Sequence, residues 1–198
     1  MIVIGVTGGV GSGKTQFCKA LESLGCRVLY ADDMAINLME TNLTLKNRLM
    51  DEFGETLYLD DGKLNRQALA EIIFQDTDAR DLVESWVHPA VHAETMNQIV
   101  QAKEQGLEIL VKEAALLLTK GRPEYLDHVV LVVADQATRV QRLMDHRNWT
   151  KKQIHERMEA QMSQEQMEIY ADTVIDNSGT LDQLHSAATS FIRTLIPS

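Results

Sequence analysis

Eight residues near the start of the chain, Gly8-Gly9-Val10-Gly11-Ser12-Gly13-Lys14-Thr15, have the spacing G-x-x-x-x-G-K-[ST]. The chemistry that spacing serves is the holding of a triphosphate. Glycines let the backbone curl so that successive N–H groups converge on phosphate oxygens. A helix opening directly behind the loop aims its partial positive charge at the same point. Lys14 is placed to reach the β- and γ-phosphates, and the Thr15 hydroxyl is the natural magnesium ligand. Gly11, Ser12, Gly13, Lys14, Thr15 and the adjoining Gln16 are therefore the candidate ATP-binding residues, with Lys14 also counted as catalytic. A glycine turn that happens to precede a lysine is the bland alternative. The context argues against it, because a strand-like run precedes the loop and a helical pattern follows it.

A carboxylate and a group of arginines are the other chemical candidates. Asp32 follows the second strand-like run, and in an open α/β sheet ligands collect beyond the carboxyl ends of the strands. There it can accept a proton from an acceptor hydroxyl or hold magnesium through water. Position alone also allows a helix cap for a segment starting at Met34, with Asp33 the better cap of the two. Farther on, Arg139, Arg142, Arg147, Lys151, Lys152 and Arg157 crowd one stretch of an otherwise acidic chain. Arg142 and Arg157 are candidates to clamp transferring phosphoryl oxygens. Lys151 and Lys152 read as a solvated face.

The elements that must position these residues follow from patterning. Ile2–Val6 is a short apolar, β-branched run typical of a strand buried on both faces. A helix over 15–24 carries Phe17, Leu21 and Leu24 on one face and is stopped by Gly25. A second strand is expected over 26–30, and later strands over 109–111, 129–134 and 173–175, with helical patterns between them. Thr180 and Gln183 form a capping box for a last helix bearing Leu181, Leu184, Ala188, Phe191 and Leu195 on one side. Strand, loop, helix, strand at the start makes a βαβ unit, so the sheet is parallel. The stretch from Met34 to about Gln105 is too long for a crossover and reads as an inserted helical region. Within it Pro89 is expected to end one helix and begin another.

The net charge of −10 disfavours nucleic acid and anionic lipid as partners. Trp149 is the one aromatic residue within the basic island. Cys18 and Cys26 fit no zinc or redox spacing and read as buried thiols. No apolar run is long enough to span a bilayer, and the opening residues read as a strand rather than a signal peptide. The chain is expected to be cytoplasmic, and a monomer or weak homo-oligomer. No Asn-Lys-x-Asp sequence is present to read a guanine base.

Taken together, these residues resemble the dephospho-coenzyme A kinase family over nearly the whole chain. The resemblance is carried by Thr7 to Lys14, Ala31-Asp32, and Gly62-Lys63-Leu64-Asn65-Arg66 with Leu69 and Phe74. It continues through Val87-His88-Pro89, Leu116-Leu117, Asp127-His128-Val129-Val130 and Arg142-Leu143-Met144. Arg157 with Gln161, and Ala171-Asp172-Thr173-Val174-Ile175-Asp176-Asn177, complete it. Several positions depart from the family pattern: Gln16 follows Thr15 in place of a second hydroxyl residue, Tyr30 replaces an aspartate, Ile36 an arginine, Ala115 a proline and Thr119 a glutamate.

The resemblance implies a three-layer P-loop NTPase fold: a five-stranded parallel sheet, a helical substrate-binding insert and a lid. The core would span about 1–33 and 106–198, the insert about 34–105 and the lid about 139–165. It implies transfer of the γ-phosphoryl of ATP, with Mg2+, to the ribose 3′-hydroxyl of dephospho-coenzyme A, the last step of coenzyme A synthesis. Asp32 then matches the family's acidic residue, as general base or metal positioner, and joins Lys14 and Arg142 in the catalytic set. Asp32, Arg66 and His88 become acceptor-binding candidates, while Arg142, Arg157 and Asn177 join the nucleotide-binding set. A nucleoside or nucleotide kinase, or an ATP-dependent switch protein, are the alternatives that the bare residues leave open.

Overall fold

The apolar run Ile2–Thr7 becomes β1, the central strand of the sheet in the computed structural model, which describes residues 1–195. Among the described residues the sheet has five parallel strands in the order β2-β3-β1-β4-β5. The others are β2 (Arg27–Tyr30), β3 (Ile109–Glu113), β4 (His128–Val133) and β5 (Thr173–Asp176). Register sets Val6 beside Glu113 and Thr7 beside Leu131. The expected strands are thus present, with ends shifted by one or two residues. Cys26 is not in β2, because its N–H closes the preceding helix α1 (Lys14–Ser23) by donating to the Leu21 carbonyl at 3.1 Å. Gly25, at φ 89°, makes that ending possible.

The chain divides into two compact units, Met1–Leu29 with the chain from Ala102 on, and Tyr30–Gln101. In the first unit Phe17 of α1 packs on Phe191 of α9 (Leu181–Leu195), their ring centroids 6.1 Å apart. Leu184, Ala188 and Phe191 are buried, as the periodicity predicts, and Thr180 and Gln183 make the expected reciprocal cap bonds. Leu181 is 58% exposed, so the apolar stripe begins one turn later than expected. Between β3 and β4 the chain runs through turns over 114–127 where a helical link was expected. Two carboxylates tie the strand starts together. Asp127 accepts from the Val3 N–H, and Asp172 accepts from the Val129 N–H and pairs with Arg122 at 2.8 Å. Those two residues of the family pattern are therefore structural. After β4 come α6 (Gln136–Arg147), α7 (Lys151–Glu159) and α8 (Gln164–Glu168).

The second unit holds α2 (Ala31–Thr41), α3 (Leu43–Phe53), α4 (Arg66–Gln75) and most of α5 (Thr77–Glu104). Met39, Leu45, Leu49, Leu57, Leu64, Leu69, Val83, Val87 and Val91 form its core, with Ile36 packed against them. Ile36 thus serves packing at the position where the resemblance leads one to expect an arginine. Pro89 does not split this region into two helices; α5 runs straight through it. Val83, Val87 and Val91 continue one buried i, i+4 stripe past Pro89, while Pro89 itself faces solvent. Ser85, whose carbonyl Pro89 leaves without an N–H, is itself an exposed residue. A second correction concerns α2. It starts at Ala31 directly from β2, with Tyr30 as its cap residue, so Asp32 and Asp33 occupy its first turn instead of capping a helix at Met34.

Candidate active site

The phosphate loop is shaped by three glycines at positive φ: Gly8 (150°), Gly11 (79°) and Gly13 (89°). Gly13 is the cap residue of α1, and its carbonyl accepts from the Gln16 and Phe17 N–H groups. A side chain at Gly13 would stand 2.1 Å from Asn177 Nδ2, so both conformation and space require glycine there. Lys14 Nζ lies back over its own loop, donating to the Gly8 carbonyl at 2.9 Å and reaching Gly9 O at 3.5 Å. That places the ammonium above the curled backbone. Thr15 and Gln16 are exposed on the first turn of α1.

Side chains from distant parts of the chain brace the loop. Asn177, just past β5 and only 3% exposed, donates to the Ser12 carbonyl at 2.8 Å. Arg142 of α6 donates to the Asn177 carbonyl at 2.8 Å. Arg139 Nε donates to the Val10 carbonyl at 2.9 Å, and Gln161 Oε1 accepts from the Val10 N–H at 2.8 Å. Burial holds the Arg139 guanidinium below its usual pKa. Among the described residues, the buried side-chain nitrogen and oxygen atoms without a protein partner, Thr7 Oγ1, Ser12 Oγ, Arg142 Nη1 and Asn177 Oδ1, all belong to this neighbourhood. Such groups ordinarily find a partner in water or ligand. A small cavity of about 80 Å³ adjoins the loop, lined by Gly9, Ser12, Arg139, Gln161 and Met167 among others.

Of the residues singled out from the sequence, Gly11 to Gln16, Arg142 and Asn177 share this unit and this neighbourhood. Arg157 does not join them by any contact of its own. It is exposed, and its guanidinium stacks on Trp149 at 4.2 Å. Asp32, Arg66 and His88 all lie in the second unit and are exposed. Arg66 is the first residue of α4, which Asn65 caps by accepting from the Ala68 N–H at 3.1 Å. The hairpin before it is held by Lys46 donating to the Gly62 carbonyl and Tyr58 donating to the Met39 carbonyl, both at 2.8 Å. His88 sits midway along α5, beside Pro89. The departures also have local uses. The exposed Thr119 hydroxyl donates back to the Leu116 carbonyl at 3.0 Å, and Ala115 lines a small cleft with Thr7 and Gly8.

Sequence reasoning passed over two buried charged residues. Glu113 ends β3 at 8% exposure, in register with Val6, two residues before the loop begins. An apolar strand closing on an acid was the available signal. Burial, and then the Glu113 charge, push the Cys18 thiol well up, which makes that cysteine inert. Lys112 is 6% exposed, donates to Tyr125 Oη at 3.1 Å, and is pulled down by burial to about 8.

A family model described as dephospho-CoA kinase matches residues 2–183. The chain is 39% identical to the dephospho-CoA kinase of Salinibacter ruber over 184 residues, covering 93% of this chain and 92% of that one. It resembles the crystal structure of TT1252 from Thermus thermophilus with 31% identity and a TM-score of 0.79, covering 98% of both chains. The dephospho-CoA kinase of Campylobacter jejuni shares the fold, with 21% identity and a TM-score of 0.69 over 99% of this chain and 98% of that one. Among the described residues no helix is long and apolar enough to cross a membrane.

Proposed function

Since the chain belongs to the dephospho-CoA kinase family, we propose that it transfers the γ-phosphoryl group of ATP to the ribose 3′-hydroxyl of dephospho-coenzyme A, giving coenzyme A and ADP. The observation that carries the phosphoryl-transfer reading is the loop itself. Gly8 to Thr15 is wound between β1 and α1 by three glycines at positive φ, with Lys14 lying over it. In such a reaction the protein contributes chiefly position and electrostatic stabilisation. The amides of Gly11 to Thr15 hold the β- and γ-phosphates and the α1 N-terminus faces their charge. Lys14 swings from the Gly8 carbonyl to the phosphate oxygens. Arg142, fixed through the Asn177 carbonyl, keeps its buried Nη1 for the same anionic region.

The donor set suits Mg2+. Thr15 offers an exposed hydroxyl on the first turn of α1, and a hard cation that keeps several waters takes its remaining ligands from phosphate oxygens. When bound, the ion would neutralise phosphate charge, with the Thr15 hydroxyl as its protein ligand. Glu113, at the end of the strand beside β1, provides a fixed carboxylate to orient water in that region. We assign to Asp32 the orientation or deprotonation of the acceptor hydroxyl. Its exposure in the first turn of α2, two residues past β2, supports that role. Arg66 and His88, both exposed, are assigned to acceptor binding. A reaction that draws on the cell's ATP supports a cytoplasmic location.

A coupled ADP-release assay with a panel of acceptors tests this reading. Dephospho-coenzyme A is expected to stimulate ADP release, with mass spectrometry showing a phosphoryl group on the 3′-oxygen. Release that no acceptor stimulates, or that a nucleoside stimulates more strongly, would replace it.

A further inference from the structure

Val10, in the middle of the phosphate loop, has both its N–H and its carbonyl held by side chains from far along the chain. Gln161 Oε1 accepts from its N–H at 2.8 Å, and Arg139 Nε donates to its carbonyl at 2.9 Å. Arg139 lies so flat on the loop that a side chain at Gly9 would stand 2.5 Å from its Nη2. The Ser12 N–H closes a turn onto the Gly9 carbonyl at 3.1 Å, so the Val10 peptide sits inside that turn. Neither α1 nor β1 includes Val10.

Gln161 itself sits in the link between α7 and α8, and neither helix uses its side chain. α7 is capped by Thr150 and Gln153, and α8 by Ser163 and Gln166, each with a complete capping box. Its amide instead reaches 151 residues back to the loop and lines the two small cavities beside it.

We propose that Gln161 is a positioning residue for phosphoryl transfer: it holds the Val10 N–H while Arg139 holds the Val10 carbonyl, which keeps the amides of Gly11 to Thr15 converged on the triphosphate. The link between α7 and α8 thereby sets the shape of the loop. Loss of the grip acts on the nucleotide side of the reaction and leaves acceptor binding alone. The kinetic consequences rest on the kinase reading above, whereas the grip on Val10 does not.

The test compares Gln161→Leu, which is one atom shorter and has no acceptor atom, with Gln161→Glu, which keeps an oxygen at the same reach. Amide exchange at Val10 is followed by NMR in the full chain, and kinetics by ADP release. In Gln161→Leu the Val10 amide is expected to exchange about tenfold faster and the KM for ATP to rise about tenfold, the loss of one well-placed hydrogen bond. The KM for dephospho-coenzyme A should stay within about twofold of its parent value. Gln161→Glu should keep Val10 protected. Unchanged Val10 exchange in Gln161→Leu would overturn the proposal, as would equal rises in both KM values or equal loss of protection in the two variants. Should the acceptor prove to be another molecule, the exchange measurement still reads the grip, so the two failures are distinguishable.

Discussion

Asn177 and Ser12 are joined by a hydrogen bond from the Asn177 side-chain amide to the Ser12 carbonyl at 2.8 Å, which ties the exit of the last strand to the phosphate loop. Both residues are buried, and Asn177 Nδ2 occupies the place a side chain at Gly13 would need. Asn177 therefore acts on the loop backbone through Nδ2, while its buried Oδ1 has no partner within the protein.

Replacing Asn177 by Ala leaves a buried Ser12 carbonyl without a donor and should lower stability by about 1–3 kcal/mol. Urea unfolding at neutral pH reads this directly. The KM for ATP should rise together with the destabilisation. Gly13→Ala should be worse in ATP binding than Asn177→Ala, because the Gly13 φ of 89° penalises any side chain even after the amide is removed.

Asp32→Asn preserves size and the start of α2 while removing the charge. ATP binding, followed by isothermal titration, should be nearly unchanged. Single-turnover transfer to dephospho-coenzyme A should slow by about 10²–10⁴-fold, the usual contribution of a placed acid or base. A transfer rate within a few-fold of the parent would take Asp32 out of the mechanism.

Lys112 gives stability a distinctive pH dependence. Burial lowers its folded pKa to about 8, against 10.5 for the free side chain. Between those values the unfolded chain binds more protons than the folded one, so stability rises with pH through that window. The destabilisation is fully present below pH 8 and is relieved toward pH 10.5, a span worth roughly 3 kcal/mol. Lys112→Met should remove that rise. The measurement is the difference in unfolding free energy between parent and variant at several pH values. The buried thiols Cys18 and Cys26, both held up by burial, are common to both proteins, whereas Tyr125, also held up by burial, loses its Lys112 partner in the variant, so Lys112→Met is read together with Tyr125→Phe. A difference independent of pH would show that Lys112 keeps its charge when buried.

Pro89→Ala restores an N–H inside α5 and should stabilise the chain by up to about 3 kcal/mol, the disadvantage of proline within a helix. Thermal melting reads the gain.

Much of this protein was legible from its residues in order. The phosphate loop, the β1 run, the Gly25 stop and the Thr180–Gln183 cap each depend on neighbours within a few positions, so local spacing and backbone preference are enough to read them. The stripe of Val83, Val87 and Val91 was also written in the sequence, but a proline rule applied locally broke it wrongly. Burial of three valines on one face outweighs one missing hydrogen bond on the solvent side.

Tertiary structure alone decided what braces the loop. The partners of Val10 and Ser12 lie 129, 151 and 165 residues away, at Arg139, Gln161 and Asn177. Contacts over such separations leave no periodicity behind. A glutamine in a short link or an asparagine after a strand is chemically ordinary until folding brings its amide within about 3 Å of a backbone group. The same holds for the stacking of Arg157 on Trp149, which charge pattern alone does not announce. Residue type sets what a side chain is able to do, and the fold determines which atom it meets.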